Sequence, residues 1–288
     1  MTNTRAPKFS YEFFPPRNPR MQRRFWRAIG QLERSCPAFY SMTYGALGSA
    51  KQISVETAIA MHEESPIPVA AHLTCSDSSS AEICQVAQQL ADAGIKRIVA
   101  LRGDAQNNDG TYAYRSTIDF IQALRIIEDF DISVAAYPEV HPQATNAIQD
   151  LQHLKAKFDA GANRAITQFF FSAGTFLRFR DQAAAIGIDK PIIPGILPIH
   201  DFDKVCQFAQ ICGTAIPGDL EVAYRDCKGD QQATYDLSQH LTLGLCETLM
   251  REGVDQFHLY TLNMTDLCLD ISLALGAQLS PNRLADAA

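Results

Sequence analysis

The residues of this chain that could do chemistry stand at the ends of short apolar runs. Arg97-Ile98-Val99-Ala100-Leu101 is rich in β-branched residues and breaks abruptly into Arg102-Gly103-Asp104. Such a run reads as a strand buried on both faces of a parallel sheet, and the charges mark its carboxyl end. Parallel sheets, open or closed, collect their functional groups at those ends. The glycine between the charges lets the backbone turn tightly or approach a ligand; the plainer alternative is a surface turn with a solvated ion pair. Glu12, Thr43, His72, Tyr137 with His141, and Gln168 hold the same position, each at or just past the end of a different run. Singly, each has an ordinary explanation: a hydrogen-bonded core histidine, an aromatic packed ahead of Pro138, a satisfied buried amide. Gathered at one mouth, several ionisable groups would be costly without a ligand or mutual pairing.

The elements that must position these groups alternate along the chain. Phe9-Ser10-Tyr11-Glu12-Phe13-Phe14 alternates and stops at Pro15-Pro16, a first strand ending in a rigid turn. Its period puts Ser10 and Glu12 on one face and Phe9, Tyr11 and Phe13 on the other. If the aromatic face packs on helices, Glu12 points inward. Helical patterning follows over 20–34, then a strand at 39–43, a helix at 54–64 and a strand at 69–73. A serine-rich entry, 76–80, can cap the helix 81–93, and Gly94 ends it. Beyond the run at 97–101, strands are expected at 132–137, 164–168, 191–196 and 256–260. Helices are expected within 117–130 and at 144–160, 174–186, 202–212, 231–252 and 266–275. Strict alternation implies a parallel sheet. Eight units in under 300 residues, with no linker or composition shift, favour a closed (β/α)8 TIM barrel, one α/β domain over 1–288 with short flexible ends at 1–7 and 281–288.

Composition narrows the partners. A net charge of −7 disfavours a nucleic-acid backbone but leaves room for a local basic pocket. No apolar run approaches the roughly 18 residues of a membrane span, and the start lacks a signal-peptide core, so a cytoplasmic protein is expected. Eight cysteines show no Cys-x-x-Cys pair and the histidines no His-Glu-x-x-His, so no metal is expected. Neither a Gly-x-Gly-x-x-Gly after a strand nor a Walker-type loop is present. From the residues alone, the reading stops at a barrel enzyme with an acid/base Glu12 and an Arg-Gly-Asp anchor.

Seven segments carry it further: Phe9-Ser10-Tyr11-Glu12-Phe13-Phe14-Pro15-Pro16-Arg17, Thr43-Tyr44-Gly45-Ala46, His72-Leu73-Thr74-Cys75, Ala100-Leu101-Arg102-Gly103-Asp104, Ala136-Tyr137-Pro138-Glu139-Val140-His141-Pro142, the stretch 161–171, and Ile193-Pro194-Gly195-Ile196-Leu197-Pro198. In order and over nearly the whole chain, they resemble methylenetetrahydrofolate reductase in its short bacterial form, the catalytic barrel alone. The resemblance implies FAD at the carboxyl end of the barrel, reduced by NADH or NADPH. The flavin then delivers hydride to 5,10-methylenetetrahydrofolate by a ping-pong course, giving the 5-methyltetrahydrofolate that feeds methionine synthesis.

Residue by residue, the resemblance places around FAD Thr43, Tyr44 and Ala46, His72, and Arg102, Gly103 and Asp104. It adds Tyr137, His141 and Ala144, and the helical Asp150, His153 and Lys157. Asp104, Gln168, Lys204 and Phe208 would face the substrate. Glu12, beside Phe13, Phe14 and prolines, would hold a raised pKa as general acid for the departing folate nitrogen, and Asp104 would stabilise the cationic iminium that results. His153 and Ala156 depart from the family pattern on the adenosine side, as do Lys204 and Met264 on the folate side. The implied partners are small molecules and further copies of the chain in a homo-oligomer, with neither nucleic acid nor membrane. A barrel lyase or aldolase using Glu12 as its acid, and a non-catalytic flavin- or folate-binding protein, are the competing readings.

Overall fold

In the computed structural model, which describes residues 6–45, 51–103 and 113–278, the apolar runs form nine parallel strands. The first half of the chain runs β1 (Lys8–Phe13), α1 (Pro19–Leu32), a 3-10 turn (Glu33–Ser35), β2 (Phe39–Met42), α2 (Lys51–Glu64), β3 (Val69–Thr74), α3 (Ser80–Asp92), β4 (Arg97–Leu101) and α4 (Thr117–Ile127). The second half runs β5 (Asp131–Ala136), α5 (Ala147–Asp159), β6 (Arg164–Thr167), α6 (Ala173–Ala185), β7 (Ile192–Ile193), β8 (Gly195–Ile196), α7 (Phe202–Cys212), α8 (Gly218–Asp226), α9 (Gln231–Arg251), β9 (Gln256–Tyr260) and α10 (Asp266–Ala274). Side chains of Asn18, Ser79, Ser116, Asn146, Asp201 and Asp230 accept from the first free amides of α1, α3, α4, α5, α7 and α9.

The strands pair in the order β7-β6-β5-β4-β3-β2-β1-β9-β8. Only Pro194 separates β7 from β8, so the chain itself joins the two ends of the row into a nearly closed TIM barrel. The expected single strand at 191–196 is split there because proline has no N–H for the ladder; its carbonyl still accepts from the His258 amide at 3.0 Å. A second difference is α8, in a stretch where the sequence suggested no element. Of its nine residues only Tyr224 is buried, which leaves almost no apolar period to read. The expected flexible ends, 1–7 and 281–288, fall outside the described residues apart from Ala6 and Pro7.

Two layers of core position the mouth. Outside the barrel, the odd residues of β1 pack on helices: Phe13 meets Phe25 of α1 and Tyr40 edge-on, each at 5.5 Å. Inside, Arg97 and Arg164 pair with Asp131 at the amino end, and Phe39, Ala70, Val99 and Ile166 form an apolar plug above them. The seam between β1 and β9 is closed by Asn263, whose Oδ1 accepts from the Phe14 amide and whose Nδ2 donates to the Phe14 carbonyl, both at 2.9 Å. Thr261 Oγ1 donates to the Glu12 carbonyl at 2.6 Å. Among the described residues, no helix is long and apolar enough to cross a membrane.

Candidate active site

The carboxyl ends of the strands open onto two adjoining cavities. The central one, about 420 Å³, is walled by Glu12, Thr43, Tyr44, His72, Tyr137, Gln168 and Phe208 together with apolar residues. The outer one, about 440 Å³, lies between the ends of β4 and β5 and the start of α5, and takes in Arg102, Gly103, Tyr137, His141, Ala144, Asp150, His153 and Lys157. Leu101, Ala135 and Tyr137 belong to both. Residues that the sequence scattered over 200 positions thus meet in one connected space. Ala46 and Asp104 lie outside the described residues. Lys204 walls neither cavity: it sits in the first turn of α7 with Nζ 2.8 Å from the exposed Asp201 carboxylate.

Glu12 points into the barrel, as the alternation of β1 predicts. Its expected raised pKa is not what the structure gives. Burial alone would lift it, but His258 Nε2 at 3.6 Å and His72 Nε2 at 3.5 Å turn toward Oε2, and the net effect holds the carboxyl below its ordinary range. Of the two phenylalanines expected to desolvate it, Phe14 does wall the same cavity, whereas Phe13 is on the opposite face among helix residues. Burial in turn pushes His72 down to about 4, against the pull of Glu12, so His72 is neutral at pH 7. Two atoms of this wall, Thr43 Oγ1 and His72 Nε2, are buried with no hydrogen-bond partner among the described residues. Leaving such groups unmet costs about 1–3 kcal/mol each, so the cavity is built for a ligand with polar edges.

Sequence reasoning missed two residues of β9. His258 is fully buried, with Nδ1 2.7 Å from Ser10 Oγ and Nε2 3.5 Å from Ser41 Oγ. Tyr260 walls the central cavity and donates its hydroxyl to the Thr167 carbonyl at 2.6 Å. Tyr260 fits because its neighbour is Gly195: a Cβ there would overlap the Thr167 carbonyl oxygen and come within 2.6 Å of the Tyr260 ring. The signal was available, since β9 alternates just as β1 does and pairs with it in register, Ser10 with His258 and Glu12 with Tyr260.

The outer cavity is cationic and rigidly walled. Arg102 Nη1 donates to Gln143 Oε1 at 2.8 Å, and Gln143 in turn donates its amide to His141 Nδ1 at 3.0 Å. The His141 amide donates to Asp150 Oδ2 at 2.8 Å. Between Tyr137 and His141, whose rings meet edge-on at 4.4 Å, Val140 adopts φ 78°. A β-branched residue in that region is strained, and such strain persists where the surroundings hold it. Lys157 reaches in from α5 to donate to the Ala135 carbonyl at 3.0 Å. Burial pushes its ammonium down to about 8, although Asp150 pulls the other way. A diphosphate-sized anion is the partner such a pair of cations suits.

Residues 1–276 match the family model of methylenetetrahydrofolate reductase. The chain is 40% identical over 269 residues to the 5,10-methylenetetrahydrofolate reductase of Pectobacterium carotovorum, covering 93% of this chain and 90% of that one. It is 31% identical to "Methylenetetrahydrofolate reductase (NADH) 1" of Zea mays, of which it spans 48%. Among solved structures, a Clostridium thermocellum protein described as binding two copies of 5-methyl-5,6,7,8-tetrahydrofolic acid superposes with a TM-score of 0.66 over 96% of each chain, at 16% identity, a likeness of fold. A barrel of this length with these residues at its mouth belongs to the methylenetetrahydrofolate reductase family, a family of folate-reducing oxidoreductases.

Proposed function

We propose that the two cavities hold FAD and that the central one also receives, in turn, NADH or NADPH and 5,10-methylenetetrahydrofolate, which is reduced to 5-methyltetrahydrofolate. The single observation that carries the cofactor is the pair of buried polar atoms that make no hydrogen bond among the described residues, Thr43 Oγ1 and His72 Nε2, the latter no nearer than 3.5 Å to Glu12. The edge of a flat heterocycle with ring nitrogens and carbonyls would satisfy both. When bound, FAD supplies a two-electron carrier that accepts hydride from the nicotinamide and gives it up to the folate methylene carbon. Arg102 and Lys157, which wall the outer cavity, would hold its diphosphate, and His141 and His153 of the same wall would meet its nucleoside. Thr43, Tyr44, His72 and Tyr137, in the central wall, would hold its ring portion.

On the substrate side, Gln168 and Phe208 share the central wall with Glu12. An amide can pair with a pterin edge and an aromatic ring can cover a flat face. Opening the methylene bridge requires a proton on the departing nitrogen, which Glu12 supplies. Since its carboxyl is held low in the open cavity, the proton is taken up as the ligands displace water from around it. Asp104 supplies negative charge for the iminium. The lyase reading gives way to this one because the family match covers the whole barrel.

The test is optical. Purified protein is expected to show a flavin spectrum that bleaches on anaerobic addition of NADH and returns on addition of methylenetetrahydrofolate. A colourless protein that takes up no added FAD would overturn the reading.

A further inference from the structure

Beneath Glu12 lies a group that no ligand can touch. His258 has no exposed surface, and its ring is fixed on every side. Phe39 stacks on it at 5.7 Å and 22°, and Tyr260 meets it edge-on at 5.4 Å. Ser10 Oγ lies 2.7 Å from Nδ1 and also 3.3 Å from the Phe257 carbonyl, to which it donates. Nε2 faces Ser41 Oγ and, at 3.6 Å, Glu12 Oε2. An imidazole buried for packing alone would be poorly chosen, because its two ring nitrogens must be satisfied and an aromatic hydrocarbon would fill the space. Here both nitrogens face polar partners, and Nε2 faces the carboxyl at 3.6 Å as well as Ser41 Oγ.

Resting on the proposed role of Glu12 as general acid, we infer that His258 is a positioning residue of the reaction, holding the Glu12 carboxyl toward the central cavity through Nε2 while Ser10 fixes the ring through Nδ1. The Ser10 hydroxyl has two acceptors within reach, the Phe257 carbonyl and Nδ1. When it donates to Nδ1, Nε2 carries the proton and donates to the carboxylate. When it donates to Phe257, Nδ1 carries the proton and Nε2 can accept from the protonated acid. Each neutral tautomer of His258 thus matches one protonation state of Glu12 with the ring in the same place. The charged and titratable groups around this site are Glu12 on β1, His72 on β3 and Tyr260 on β9. The Arg97–Asp131–Arg164 layer reaches it through Phe39, whose ring lies 5.5 Å from the Arg97 guanidinium. Tyr260 stays neutral because burial drives its hydroxyl pKa well above the ordinary value.

The experiment compares His258→Phe, His258→Gln and Ser10→Ala holoenzymes with wild type by anaerobic stopped flow. It measures flavin reduction by NADH and flavin reoxidation by methylenetetrahydrofolate across pH. His258→Phe is expected to lower the ratio of the folate rate to the NADH rate by about 10-fold or more, the effect of a misplaced catalytic group. Loss of the imidazole also removes support for the carboxylate, so Glu12 stays protonated to higher pH and the alkaline fall of the folate rate moves up by about one pH unit. His258→Gln, which keeps an N–H for the carboxyl, should recover part of both effects. Ser10→Ala should move both in the same direction by less, and it serves if the buried substitutions fail to fold. An unchanged rate ratio and an unchanged alkaline limb in the variants that fold would overturn the inference, as would equal slowing of both half-reactions without a shift in the limb. Glu12→Gln run alongside separates the two levels: if it reoxidises normally with folate, the acid itself is misassigned.

Discussion

Lys157→Met tests whether the buried ammonium of the outer cavity is there for an anion. Methionine keeps the length and apolar stem of lysine and removes the charge. A depression of the lysine pKa from 10.5 to about 8 means that the folded chain without cofactor holds the ammonium at a cost of roughly 3 kcal/mol. Against that stands its bond to the Ala135 carbonyl, a charge-assisted contact worth about 1.5–3 kcal/mol. The cofactor-free variant should therefore range from equally stable to about 1.5 kcal/mol more stable at pH 7. In thermal unfolding this is a rise of up to about 3 °C. The gain should shrink above pH 8, because between about 8 and 10.5 the unfolded chain keeps a proton that the folded wild type has already lost, and wild-type stability climbs over that window. FAD binding should move the other way, weakening about 10- to 100-fold at pH 7 through loss of one ammonium–phosphate contact. Wild-type affinity should itself fall by about 10-fold from pH 7 to pH 9, since binding then requires proton uptake by Lys157, whereas the variant should be flat. Fluorescence titration of the cofactor-free proteins with FAD measures both. A variant that loses stability yet binds FAD with wild-type affinity and pH dependence would make Lys157 a prop for β5 and nothing more.

Glu12→Gln should keep flavin reduction by NADH and slow folate-dependent reoxidation by at least about 100-fold, the lower range of general-acid contributions; rapid reoxidation in stopped flow would make Glu12 structural. Gly195→Ala should destabilise the barrel by about 1–3 kcal/mol in denaturant unfolding, because its methyl meets the Thr167 carbonyl and the Tyr260 ring. A change below about 0.5 kcal/mol would mean that β6 and β9 yield there easily. If, as proposed, the central cavity receives NADH and folate in turn, initial-velocity lines at varied NADH and folate should be parallel. Intersecting lines would require a ternary complex and a second substrate site.

The sequence was most informative where one side chain or one break sets the local outcome. Asp201 caps α7 and Gly213, at φ 71°, ends it, so the expected 202–212 helix is the observed one. Glu12 could be placed inside the barrel from the alternation of one strand. Its electrostatic setting could not, because the neighbours that matter are His72 and His258, on strands 60 and 246 residues away. The adjacent Phe13 and Phe14 suggested a greasy pocket; Phe14 does line it, but Phe13 faces α1 and the two histidines outweigh the burial. Pairing of β9 with β1, not the composition of either, brings an imidazole to the acid. The helix α8 escaped because a surface helix with one buried residue has no amphipathic stripe.

The Asn263 clamp has a consequence for how the molecule is made. Until residues 256–263 leave the ribosome, β1 has a partner on one side only, and its other edge, with Glu12 on it, is open to the wrong strand. The outer cavity has no such dependence, since its walls all come from residues 100–157. Synthesis therefore completes the walls of the outer cavity first and the surroundings of Glu12 last, when Asn263 bridges to Phe14 across 249 positions of chain. A nascent or truncated chain can have a nearly finished ring and still lack the seam that sets an imidazole beside the Glu12 carboxyl.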